Sequence, residues 1–189
     1  MKVVDELLNM LHNTVIPHYG GEWLVHVDVS EAACIMRSRY FIGPCAGRIF
    51  DIGKRRQHRV EHMPIPFTAQ QLEDVQDTHL LVAVPQLSIA TIKHACEKHF
   101  LLPPPASWYM QEPFATRSPQ QHWALIPLTP HIDIAAHSAR DLAYVMIAYL
   151  LLMGDSAPFT KWRITADRTA ANQIVMVSMV GTQCTFATC

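Results

Sequence analysis

No GxSxG, Walker-type or GxGxxG stretch occurs in the 189 residues, so nucleophile-elbow and dinucleotide-binding readings have no local support. Strong net charge is also missing. Fifteen basic residues stand against sixteen acidic ones, which excludes a molecule that binds nucleic acid by its overall field and leaves room for a local basic surface. Cysteine is sparse: Cys34, Cys45, Cys96, Cys184 and Cys189 are odd in number and contain no CxxC pair. Reduced, mostly buried thiols in a cytoplasm are expected rather than a disulfide framework. The longest apolar run, Leu142 to Met153, falls short of the roughly 20 residues of a membrane span. Charged and polar residues also interrupt MKVVDELLNMLHNTVIP where a signal peptide would need an apolar centre. Neither membrane insertion nor export by that route is expected.

Half of the residues are hydrophobic, enough to bury a core in one domain spanning 1–189. Its organising stretch is SARDLAYVMIAYLLLMG, Ser138 to Gly154. Ser138 with Asp141 three residues later marks a helix start, and Gly154 marks its end. The residues between are apolar on every side of a helical wheel, which predicts a helix over Ser138–Met153 covered all round. FTKWRITAD, NQIVMVSMV and TQCTFATC then read as three strands of an antiparallel meander packed on that helix. The fold class is α+β, a mainly antiparallel sheet against a buried helix.

Upstream, Val3, Val4, Leu7, Leu8, Leu11 and Val15 recur at helical spacing, which predicts a helix over 2–16 closed by Pro17. Alternation in WLVHVDV predicts a strand from Glu22 to Val29. Residues 30–41 fit either a short helix opened by Ser30 and Glu31 or a strand, and RIFDI reads as a short strand. Thr68 opens a helix that leads into the strand THLLVAV, and Ile89, Ile92, Cys96 and Phe100 form one helical stripe over Ser88–Phe100. The five prolines of PPPASWYMQEPFATRSPQQ predict a long surface loop, and HWALIPL another strand.

The order LLVAVPQLSI, a helix, SWYMQEPF, HWALIPLTP, an apolar helix ending in Gly, and WRITAD before a final hairpin resembles a group of uncharacterised bacterial proteins of unknown function. The resemblance covers about Leu80 to the C-terminus. It implies no activity and carries over no functional residue.

Charge is distributed unevenly. Arg37, Arg39, Arg48, Lys54, Arg55, Arg56 and Arg59 supply seven of the fifteen basic residues, with Asp51 the one acid among them. Such a segment suits an acidic macromolecule, nucleic acid or acidic protein, and Lys54, Arg55, Arg56 and Arg59 are its candidate anion-binding residues. Tyr40, Phe41 and Phe50 interleave with it and suit either base stacking or the core. The leading expectation is a binding module that needs no cofactor.

The alternative is a small hydrolase using a divalent metal held by His131, Asp133 and His137, just before the central helix. His58 to His62 has the HxxEH order of a zinc protease, but Met63-Pro64-Ile65-Pro66 would end its helix at once. Of His94, Cys96 and His99, Cys96 lies on the apolar stripe and the two histidines face different ways, which favours packing over ligation.

Overall fold

A computed structural model describes residues 15–17, 23–25, 27–46, 63–100, 107–129 and 137–189. Strands β1 (Val15–Pro17) and β2 (Trp23–Val25) pair antiparallel, with Val15 opposite Val25. The expected N-terminal helix therefore does not extend through Ile16, because β-branched Val15 and Ile16 pair with β2 instead. Residues 1–14 lie outside the described ones. The strand expected to reach Val29 also stops early. Asp28 accepts a 2.8 Å hydrogen bond from the Glu31 N–H and caps helix α1 (Val29–Ile35), which settles the ambiguity in favour of a helix. A 3-10 turn (Ser38–Tyr40) and strand β3 (Phe41–Ile42) follow.

Helix α2 (Ala69–Val75) starts with a full Thr68/Gln71 capping box and leads into β4 (His79–Val84). Helix α3 (Ile89–Ala95) is shorter than the stripe predicts. Cys96 leaves the helical region, and Glu97–His99 form a 3-10 turn before Phe100. The described part of the proline-rich segment is only partly the surface loop expected: residues 117–120 are exposed and irregular, but a 3-10 turn (Trp108–Gln111) and helix α4 (Pro113–Thr116) precede them, anchored by buried Tyr109, Phe114 and Ala115. Tyr109 stacks on Phe186 with ring centroids 4.1 Å apart, and burying such rings outweighs the lack of a periodic pattern.

Strand β5 (His122–Pro127) runs antiparallel to β4, while β3 pairs with β4 in parallel, giving a first sheet ordered β3-β4-β5. Helix α5 (Ala139–Met153) follows, capped by Ser138 and closed at Gly154, whose left-handed φ of 69° suits glycine. The predicted meander is present: β6 (Arg163–Arg168), β7 (Ile174–Val180) and β8 (Gln183–Thr188) form a second antiparallel sheet. The chain is thus α+β, with two three-stranded sheets rather than one.

Residue alternation on β4 explains the layering. Leu80, Val82 and Val84 join Ala124 and Ile126 in the main core around α5, while Leu81 and Ala83 join Trp123 in a second core with Ala32 of α1 and Leu72 of α2. β4 is therefore buried on both faces and reads as a continuous apolar run. Val175, Val177, Met179, Cys184 and Phe186 of the second sheet close over α5 from the other side. Helix α5 is covered all round through Leu150, as predicted, but its last turn reaches the surface, where Leu152 is 45% exposed. Cysteine burial is also less complete than expected, since Cys34, Cys45 and Cys189 are exposed and Cys96 and Cys184 buried.

Ala148 is completely buried in the middle of α5. Ala148→Asp would place an unpaired carboxylate there at a cost of several kcal/mol, roughly the whole stability of a marginal domain. The expected result is insoluble protein or loss of a cooperative thermal transition. A soluble variant melting like wild type would contradict the central position of α5.

Candidate functional site

The densest polar cluster among the described residues lies where α5 begins. Arg140 and Asp141 occupy its first turn because Ser138 sets the helix start, its hydroxyl accepting from the Asp141 N–H at 3.1 Å. Both are buried inside a helix that is otherwise apolar. A charge in such a place persists only with partners. Arg140 Nη1 donates to the Pro85 carbonyl at 2.9 Å, at the end of β4, and Nη2 lies 2.7 Å from Asp141 Oδ1. His122, at the start of β5, places Nε2 3.4 Å from Asp141 Oδ2 and Nδ1 3.2 Å from the Gln120 carbonyl.

The second sheet joins the same cluster. The Ala139 N–H donates to Asp167 Oδ2 at 2.7 Å, and the Ala166 N–H donates to the His137 carbonyl at 2.9 Å. Farther along, the buried Arg163 guanidinium donates to the Pro127, Leu128 and Pro158 carbonyls and lies over the Phe159 ring at 5.0 Å. Arg163 therefore ties the start of β6 to the end of β5. Burial lowers its pKa to about 10, still charged at neutral pH.

The ionisation states follow from this geometry. The hydrogen bond to Asp141 raises the His122 pKa against the effect of partial burial. For Asp141 burial pushes upward, but the His122 hydrogen bond and the Arg140 charge prevail and hold the carboxyl below its usual range. Arg140 is lowered by burial and partly restored by Asp141. His137 is lowered by burial despite the nearby Asp141 charge, and His122, His79 and Arg163 press the same way. Burial raises the Asp167 carboxyl, and its bond from Ala139 opposes the rise.

Chemically, this cluster is a clasp. His122 Nε2 faces Asp141, and Nδ1 lies between the Gln120 carbonyl and Arg140 Nη2, 3.5 Å away, so both ring nitrogens are engaged by protein groups. Of the sequence-predicted metal residues, His137 alone is described. It sits half-buried beside the clasp, while His131 and Asp133 lie outside the described residues. No group of three His, Cys, Asp or Glu residues that could hold a metal ion forms among the described residues.

Lys54, Arg55, Arg56 and Arg59, and the HxxEH stretch, also lie outside the described residues. The start of the basic segment is visible. Arg37 and Arg39 are exposed, Arg37 Nη1 lies 3.2 Å from Asp77 Oδ1, and the Arg39 guanidinium stands 5.9 Å from the Tyr40 ring centroid. Phe41, one of the interleaved aromatics, packs partly buried against Trp123 at 6.0 Å, which favours its core reading.

Comparison with known proteins returns no match. No family model, curated protein or solved structure matches the chain. Among the described residues, no helix is long and apolar enough to cross a membrane.

Sequence inspection missed the clasp, since it reads Asp141 as a capping residue and His122 as part of a strand. A signal was present: an Arg-Asp pair in a helix covered on all sides must find partners elsewhere in the chain.

Asp141→Asn removes the charge facing Arg140 and should cost about 3–5 kcal/mol in urea unfolding, the usual penalty for stranding one member of a buried pair. A loss below 1 kcal/mol would contradict the clasp.

The sign of the pH dependence differs between the two histidines. His122 is shifted up from 6.5, so its stabilisation is complete below that value and is lost as pH rises through the folded value. The melting-temperature gap between wild type and His122→Gln should be widest below pH 6.5 and narrow above it. His137 is shifted down from 6.5 and works oppositely, weakening the fold as pH falls below that value. A His122→Gln gap that widens with rising pH would exclude the His122–Asp141 pairing.

Proposed function

We propose that the chain is a binding module that contacts an acidic macromolecule through its basic segment, residues 37–59. The carrying observation is that seven of fifteen basic residues fall there with a single acid, in a molecule that is otherwise electrically balanced. The exposed side chains of Arg37 and Arg39 support it, standing on the turn that leads into β3. So does the clasp, whose histidine is spent on holding α5 rather than on a substrate. The five cysteines, all without disulfide partners, support a reducing cytoplasm as its working compartment.

Contacts between Lys54, Arg55, Arg56, Arg59 and phosphates would release condensed counterions, so binding to nucleic acid should weaken steeply with salt and show little sequence preference. The test is a salt series with RNA, DNA and an acidic polypeptide on wild type and on protein carrying Arg55→Glu with Arg56→Glu. The double variant should lose association and keep its melting temperature. Failure of wild type to bind all three ligands at low salt would reduce the segment to an ordinary solvated face. Unfolding of the double variant would assign these arginines to internal ion pairs instead.

A further inference from the structure

The Nδ1 atom of His122 has two neighbours with opposite demands. The Gln120 carbonyl, 3.2 Å away, accepts only and needs a proton on Nδ1, whereas Arg140 Nη2, 3.5 Å away, donates only and needs Nδ1 bare. One ring nitrogen cannot serve both at once. Nε2 faces Asp141 Oδ2 at 3.4 Å and keeps its proton in either case. The ring therefore has two states. As a cation it donates from Nδ1 to the Gln120 carbonyl. As the neutral Nε2–H tautomer it accepts from Arg140 at Nδ1, and its lone pair then opposes the carbonyl oxygen. The clasp survives the exchange, because Pro85 and Asp141 hold Arg140 in both states.

Gln120 gives the exchange a mechanical output. Residues 117–120 form an exposed, irregular strap between α4 and β5. The Ser118 carbonyl accepts from Gln86 Nε2 at 3.5 Å, the limit of a useful hydrogen bond, and Arg117 lies near enough to Asp167 to favour its charged form. The 3.2 Å bond from His122 is the firmer fastening. Once released, an exposed carbonyl is satisfied by water.

The surrounding charges set the point of exchange. From α5, Asp141 faces Nε2 and Arg140 faces Nδ1, and the end of β4 meets the cluster with the Pro85 carbonyl. His137 feels the charge of His122, of His79 from the start of β4 and of Arg163 from β6, and β6 also brings Asp167, bonded to the Ala139 N–H. Asp141 prevails at His122 and moves its titration up from 6.5.

We propose that His122 is a proton-operated catch for the strap 117–120, fastening the Gln120 carbonyl when charged and exchanging it for Arg140 when neutral, while α5 keeps its register. The strap is held below the His122 midpoint and free above it, presenting Arg117 and Ser118 to the surroundings. This device is independent of the basic segment and does not rest on its reading.

NMR of the full chain across the His122 titration tests the catch. The Gln120 carbonyl carbon should shift with the same midpoint as the ring, and the neutral ring should carry its proton on Nε2. Order parameters of the Ser118 and Gln120 amides should fall from about 0.85, the rigid range, to below about 0.6 as pH rises through that midpoint. In His122→Gln protein, whose side chain does not titrate, both carbonyl shift and order parameters should stay flat. His137→Gln should leave the transition in place, which separates the two neighbouring imidazoles.

A Gln120 carbonyl that ignores the His122 titration, or a neutral ring with its proton on Nδ1, would overturn the proposal. So would a strap transition that persists in His122→Gln protein or vanishes in His137→Gln protein.

Discussion

One buried guanidinium sets the terms for the rest of the structure. Arg140 is 2% exposed, and a cation so placed must be answered on several sides at once. Asp141 answers it from the same helical turn and the Pro85 carbonyl from the first sheet, while His122 holds Asp141 from β5. Asp167 brings in the second sheet through the first helical N–H. Two sheets that share no backbone pairing are therefore registered against one helix end. Apolar contact around α5 supplies the larger part of the free energy, but it is non-directional and tolerates sliding. A buried ionic cluster adds little net stability and is costly to break, so its contribution here is to fix one alignment.

That division of labour explains what the sequence reveals and what it conceals. Helix α5, β4 and the C-terminal meander are governed by local rules: a serine cap, a terminal glycine, a β-branched run and alternation. These elements are visible to anyone reading residues in order. The clasp joins His122 to positions eighteen and nineteen residues later and Arg140 to a carbonyl fifty-five residues earlier, and no local period encodes such pairings. The segment after the proline run misleads for a related reason. Tyr109 and Phe114 are held by distant Phe186 as well as by neighbouring Trp108, so residues that look loop-like become part of the core. At Val15 and Cys96, propensity extends a helix farther than tertiary pairing allows.

The same layering separates structure from function. Where α5 begins between the two sheets, polar groups are turned inward and engaged in alignment. The basic segment, identified by composition, is the proposed contact for a partner, and such a contact would depend on ionic strength.

The clasp requires His122 to be held between Asp141 and the Gln120 carbonyl. Nitrogen-detected NMR of the His122 ring across pH measures this directly. The expected result is a titration midpoint above the ordinary 6.5 and a fall towards that value in Asp141→Asn protein. A His122 ring that titrates below 6.5 and ignores the Asp141 substitution would contradict the clasp and make this histidine available as a base.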